Sequence, residues 1–133
     1  RCLLMKPQTY MNDSGVAVAQ AMNFYKLKPE QVIVILDDIT LDPGVLRIRR
    51  KGSDGGQKGM RSIIQQCGSD QFPRLKLGVG KKPHPDYDLA KWVLGKFSKE
   101  DTEKFKSAAE NACECIKLMV QGKTDEAMNK FNS

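Results

Sequence analysis

Three places in this 133-residue chain hold side chains that could do chemistry. Asn12 follows an apolar segment and the proline turn at Pro7. Asp37 and Asp38 end the apolar run VIVILDD (32–38). The third place is the glycine-rich basic stretch RIRRKGSDGGQKG (47–59). A side-chain amide such as that of Asn12 can donate to a developing oxyanion or to a ribose hydroxyl; an ordinary helix cap is the alternative use. Either aspartate could orient a histidine and stabilise its charged form, hold magnesium, or cap the turn toward Thr40. No second acidic cluster accompanies them, so metal is the weakest of these options. The single histidine, His84, stands between Pro83 and Pro85, a poor place for a catalytic base. The glycine loop lacks the ending of a phosphate-binding Walker loop. GVGKKP (78–83) runs into a proline with no hydroxyl for magnesium. Dependence on a nucleotide cofactor is therefore disfavoured.

Charge narrows the choice of partner. The formal net charge of +6 is unevenly placed. Residues 45–82 carry ten basic side chains (Arg47, Arg49, Arg50, Lys51, Lys58, Arg61, Arg74, Lys76, Lys81 and Lys82) against Asp54 and Asp70 alone. Such a concentrated excess, interleaved with glycines that expose backbone N–H groups, fits a polyphosphate partner better than a merely solubilising face. No apolar run approaches the ~20 residues that cross a bilayer, so no membrane partner is expected. Cys2, Cys67, Cys113 and Cys115 lack metal-ligand spacing. They read as reduced, mostly buried thiols of a cytoplasmic protein.

The elements that must position these residues follow from periodicity and punctuation. Residues 1–5 read as a short apolar strand. Asn12, Asp13 or Ser14 can cap a helix to about Lys26, with Val18, Ala21, Met22 and Tyr25 on one face. VIVILDD has the pattern of a strand buried on both faces. Pro43-Gly44 turns the chain, and residues 45–51 alternate as a half-exposed strand with Arg47 and Arg49 on one side. A helix follows over about 58–67, and FPRLKLGVG (72–80) is another strand, alternating Arg74 and Lys76 against Leu75 and Leu77. Residues 86–97 read as amphipathic and partly helical, with Trp92 as a core anchor. Ser98 and Asp101 open a long helix as a capping box, with Phe105, Ala108, Ala109, Ala112, Ile116, Met119 and Val120 at helical spacing. Gly122 ends it, and Thr124 can cap a short last helix. Strands alternating with helices predict an α/β fold, a three-layer α/β/α domain with a mixed central sheet. Sheets of this class bind ligands outside the carboxyl ends of their strands, which makes Asp37, Asp38 and the glycine loop candidates to line one cleft.

KPQTYMNDSG (6–15), ILDDITLDPG (35–44), LRIRRKGSDGGQKGMRSII (46–64), FPRLKLGVG (72–80) and WVLGKF (92–97), in that order, resemble the bacterial peptidyl-tRNA hydrolases over nearly the whole chain. The resemblance implies a monomeric α/β enzyme that cleaves the ester joining a stalled peptide to tRNA and needs neither metal nor cofactor. It implies that Asn12, in the MN motif, contacts the terminal adenosine end or the reactive ester and helps place the attacking water. Tyr10 and Met11 would line the peptidyl-adenosine pocket. Asp37 would hold a catalytic histidine in its basic form, and Arg49 and Lys76 would clamp the tRNA 5′-phosphate.

Two departures accompany it. The family's catalytic histidine, and an asparagine that separates blocked from free aminoacyl-tRNA, belong to a segment preceding anything matched here. The expectation is therefore one domain over residues 1–133, incomplete at its N-terminus, with the orienting acid present and the base upstream. The family also usually has His-Asn where this chain has Gln57-Lys58. Lys58 can still donate a hydrogen bond to substrate, as a point donor without an acceptor. A non-catalytic RNA-binding relative that uses the same basic face is the alternative reading.

Overall fold

A computed structural model describes residues 2–80 and 98–132. In chain order they form a 3-10 turn at Met11–Asp13, helix α1 (Ser14–Tyr25) and a second 3-10 turn at Pro29–Gln31. Strands β1 (Val34–Asp38) and β2 (Leu46–Arg49), helix α2 (Lys58–Cys67) and strand β3 (Arg74–Gly78) come next. Helices α3 (Lys99–Val120) and α4 (Thr124–Phe131) complete the order. The strands lie in the order β1-β3-β2. Val34 N donates to Pro73 O and Val79 N to Asp38 O, so β1 and β3 run parallel. Gly78 N donates to Val45 O and Gly52 N to Asp70 O, so β3 and β2 run antiparallel. The fold is α/β with a mixed sheet, as the alternation of elements predicts. Among the described residues no helix is long and apolar enough to cross a membrane.

The chain divides into two compact units. Unit 1 comprises Arg1–Val34 and Arg49–Arg74. Here α1 packs on α2 around Gly15, whose N–H donates to Ser62 Oγ at 2.9 Å inside the contact. A Cβ at position 15 would overlap the Ser62 carbonyl, so only glycine lets the two helices approach this closely. Val18, Met60, Ile63 and Phe72 are buried around that contact's unit. The expected face of α1 is only partly right: Val18 is buried, but Tyr25 is half exposed and Gly15 takes the contact instead. Helix α1 ends at Lys26 in the left-handed conformation with φ 53°.

Among the described residues, 2–5 of the expected strand over residues 1–5 form no strand. Among the described residues no backbone pairs with 2–9, and Leu4 is 87% exposed. Apolar composition marks a segment able to form a strand, but a strand exists only where a neighbour supplies the ladder.

Unit 2 comprises Ile35–Ile48 and Leu75–Ser133. Leu36, Leu41, Leu46, Ile48 and Leu75 are buried in it, with Ala108, Ala112, Cys115, Met119 and Ala127 contributed by α3 and α4. Strand β1 is not buried on both faces as expected: Leu36 is buried but Ile35 is 52% exposed. Strand β2 does alternate as predicted, Leu46 and Ile48 inward and Arg49 outward. Its outer backbone is met by a side chain. Ile48 N donates to Asn132 Oδ1 at 2.6 Å and Asn132 Nδ2 donates to Ile48 O at 3.1 Å, an amide standing in for a neighbouring strand.

Ser98 Oγ accepts from Asp101 N at 3.1 Å, the predicted start of α3. The predicted apolar face holds at Ala108, Ala112 and Met119, which are buried, but Ala109 and Val120 are exposed and Cys115, not among those predicted, is fully buried. Thr124 does not cap α4, whose N-cap is Lys123 with no side-chain bond. Of the four free cysteines only Cys115 is buried; Cys2 and Cys113 are exposed and Cys67 is half-buried, against the expectation of mostly buried thiols. Burial pushes the Cys115 thiol up to about 11. His84, Trp92, the segment 86–97 and Lys81 and Lys82 lie outside the described residues.

Candidate functional site

Of the residues singled out from the sequence, Tyr10, Asn12, Arg49 and Lys58 belong to unit 1, and Asp37 and Lys76 belong to unit 2.

In unit 1 the chain turns sharply before α1. Tyr10 is extended, its carbonyl accepts from Asp13 N at 2.9 Å, and Met11–Asp13 make one 3-10 turn. Ser14 Oγ donates to Met11 O at 2.8 Å. Helix α1 has Asp13 at its N-cap, which makes no side-chain cap hydrogen bond, and the first-turn Gly15 N–H goes to Ser62 Oγ of α2. The cap role considered for Asn12 is thus not used. Asn12 is exposed, and Tyr10, 85% exposed, borders an open hollow with Gln8, Thr9 and Asp13.

That turn packs against the start of α2. Gln57 caps α2, its Oε1 accepting from Met60 N at 2.8 Å, while its Nε2 lies 3.4 Å from Met11 Sδ. One glutamine amide therefore ties the helix start to the MN turn. Glutamine is not among the favoured N-cap residues, so nothing in the sequence pattern announced this role. Its only signal was its place just before a helix that opens at Lys58. Lys58 itself is exposed at the first position of α2, whose first turn carries no acidic residue. A cation at the positive end of a helix dipole is unfavourable for folding and raises the local attraction for an anion.

The loop entering α2 is organised by Asp54. Gly56 N donates to its Oδ1 at 2.7 Å and Arg61 Nε to its Oδ2 at 3.3 Å. The Gly56 N–H, then the Arg61 guanidinium, hold the Asp54 carboxyl below its ordinary range. The base of the loop is fixed by Arg74. This side chain is 1% exposed, and its guanidinium donates to Phe72 O at 3.1 Å, Ser53 O at 2.7 Å and Asp70 O at 2.9 Å. Alternation along β3 predicted a surface Arg74 opposite Leu75; both are buried. Arg74 is a clamp on backbone carbonyls and does not belong to the basic surface counted from the sequence.

In unit 2, Asp37 and Asp38 end β1 and both are half-buried. Asp38 takes the turn-capping role foreseen for one of the pair: Thr40 N donates to its Oδ1 at 2.7 Å and Thr40 Oγ1 donates to the same atom. Its other oxygen lies 3.8 Å from Lys76 Nζ on the neighbouring strand β3. Lys76 is therefore an ion-paired lysine, a feature that the sequence reading did not foresee.

The family model for peptidyl-tRNA hydrolase matches residues 1–133. The chain is 56% identical to the peptidyl-tRNA hydrolase of Agathobacter rectalis over 133 residues, spanning 99% of this chain and 71% of that protein. It is 48% identical to that of Caldicellulosiruptor bescii, spanning 99% of this chain and 68% of the relative. Its fold superposes on the crystal structure of peptidyl-tRNA hydrolase from Acinetobacter baumannii with a TM-score of 0.88 and 34% identity. That match covers 96% of this chain and 64% of the crystallised one. By these matches over its whole length, the chain belongs to the peptidyl-tRNA hydrolase family.

Proposed function

We propose that the protein hydrolyses the ester of peptidyl-tRNA, releasing the peptide and returning the tRNA. Family membership over residues 1–133 supports the reaction class. The observation that carries the residue-level reading is the MN turn, which sets an exposed Asn12, not used as a helix cap, beside the start of α2.

A histidine base takes the proton of a water, which attacks the ester carbonyl. Asp37 stabilises the imidazolium so formed, and amide donors including Asn12 meet the tetrahedral oxyanion. The base is a histidine, as the family resemblance implies. Tyr10 lines the pocket of the terminal adenosine. Lys58, at the positive end of α2, contacts the acceptor end, and Arg49 and Lys76 hold the tRNA 5′-phosphate. In this reading the protein acts without metal or cofactor, as a cytoplasmic monomer whose partner is tRNA.

The test is release of tRNA from N-acetylaminoacyl-tRNA by the intact protein. Hydrolysis of the blocked ester supports the proposal. Tight tRNA binding with no hydrolysis by the intact protein would overturn it in favour of a non-catalytic RNA-binding relative.

A further inference from the structure

Lys76 has a carboxylate where a purely phosphate-binding lysine would have open water. Asp38 is not free to swing away from it. The two donors of Thr40 both engage Oδ1, which fixes the plane of the carboxylate and leaves Oδ2 directed at the ammonium. Both side chains are largely buried, at 19% exposure for Lys76 and 16% for Asp38, so solvent screens the pair weakly. Yet 3.8 Å is an ion-pair distance longer than a charge-assisted hydrogen bond. The ammonium is held by attraction without being committed, and its three N–H donors remain available.

We propose that Asp38 damps the affinity of the Lys76 subsite for the tRNA 5′-phosphate, so that Lys76 is occupied by an internal counter-ion whenever tRNA is absent. The inference rests on the reading that Lys76 meets that phosphate. Its functional logic comes from the reaction. The tRNA product keeps the same 5′-phosphate as the substrate, so strength at this contact is uniform binding that holds product as firmly as substrate. A carboxylate that re-pairs with Lys76 weakens both complexes equally and eases product release. It does so without touching the ester chemistry. A terminal phosphate, with a charge of about −1.5 to −2 at neutral pH, is the ligand best able to compete with the aspartate.

The measurement is the affinity of the intact protein for deacylated tRNA bearing either a 5′-phosphate or a 5′-hydroxyl. Wild type, Asp38→Asn, Lys76→Ala and the double variant are compared. Asparagine keeps an oxygen for both Thr40 donors, so the turn is preserved. Asp38→Asn is expected to tighten the 5′-phosphorylated tRNA by about fivefold, the scale of a partly screened ion pair. It should also raise product inhibition in proportion. The gain should be much smaller with the 5′-hydroxyl tRNA and should vanish in the Lys76→Ala background. If Lys76→Ala weakens both tRNAs equally, Lys76 does not meet the 5′-phosphate and the underlying reading fails with the inference. If Lys76→Ala costs affinity only for the phosphorylated tRNA while Asp38→Asn leaves that affinity unchanged or weaker, Asp38 merely holds its turn and the damping role is overturned.

Discussion

Arg74 carries the charge of a nucleic-acid contact and occupies the surroundings of a core residue. Its three backbone acceptors come from residues 53, 70 and 72, which makes it the tie between the glycine loop and the approach to β3. Arg74→Met would leave those carbonyls unpaired in the interior. It is expected to destabilise the protein by roughly 2–4 kcal/mol, read from urea unfolding. Lys58→Ala, at an exposed helix start, is expected to change stability by less than about 0.5 kcal/mol. Nothing in the string FPRLKLG marks Arg74 as a buried residue. Burial of a charged side chain depends on acceptors that other parts of the chain deliver, and those are invisible to local alternation.

Asp54 gives a pH prediction at the same scale. Its folded carboxyl lies below the ordinary value of 3.8, chiefly because Gly56 N–H bonds to the ionised form. A depressed folded value means that the stabilisation is present above the unfolded value and is lost as pH falls through the folded one. Asp54→Asn should therefore lose less stability than wild type when thermal melts are compared from pH 5 down into that acid window.

The helices show what was legible and what was not. The limits of α2 were readable because a glycine-rich loop precedes it and Gly68 follows in the left-handed conformation with φ 67°. The start of α3 was readable from Ser98 and Asp101, a side-chain signal that acts within one turn. Faces were harder. Gly15, which the hydrophobic pattern ignored, is the point where α1 meets α2, and of the face read for α1 Val18 is buried while Tyr25 is exposed. A close approach between helices rewards the absence of a side chain, and periodicity counts only side chains. Gly15→Ala should push the two helices apart and cost roughly 2–4 kcal/mol in urea unfolding, with the Asn12 turn displaced as a consequence. Asn132 was equally silent in the sequence, because its role is defined by Ile48, far away along the chain.

For the whole molecule, the middle-third charge excess pointed to a polyphosphate partner, and membership in the peptidyl-tRNA hydrolase family agrees with it. The structure thins that patch: Arg74 is buried and Arg61 is paired with Asp54. Fewer side chains are available for phosphates than a count of ten suggests. Binding to tRNA should still fall linearly on a logarithmic salt scale. Lys58→Ala should reduce that slope by about 1, whereas a lysine that contacts no phosphate would leave it unchanged. Filter binding across a salt series reads the slope directly.

In the proposed mechanism Asp37 serves the chemical step and not the grip on tRNA. The most direct test is the single-turnover rate of ester hydrolysis on N-acetylaminoacyl-tRNA by Asp37→Asn in the intact protein, beside wild type. A base left without its acid partner should slow the step by about a hundredfold or more, with tRNA affinity held within about twofold. A rate within about threefold of wild type, or a loss that lies wholly in binding, would contradict the assignment.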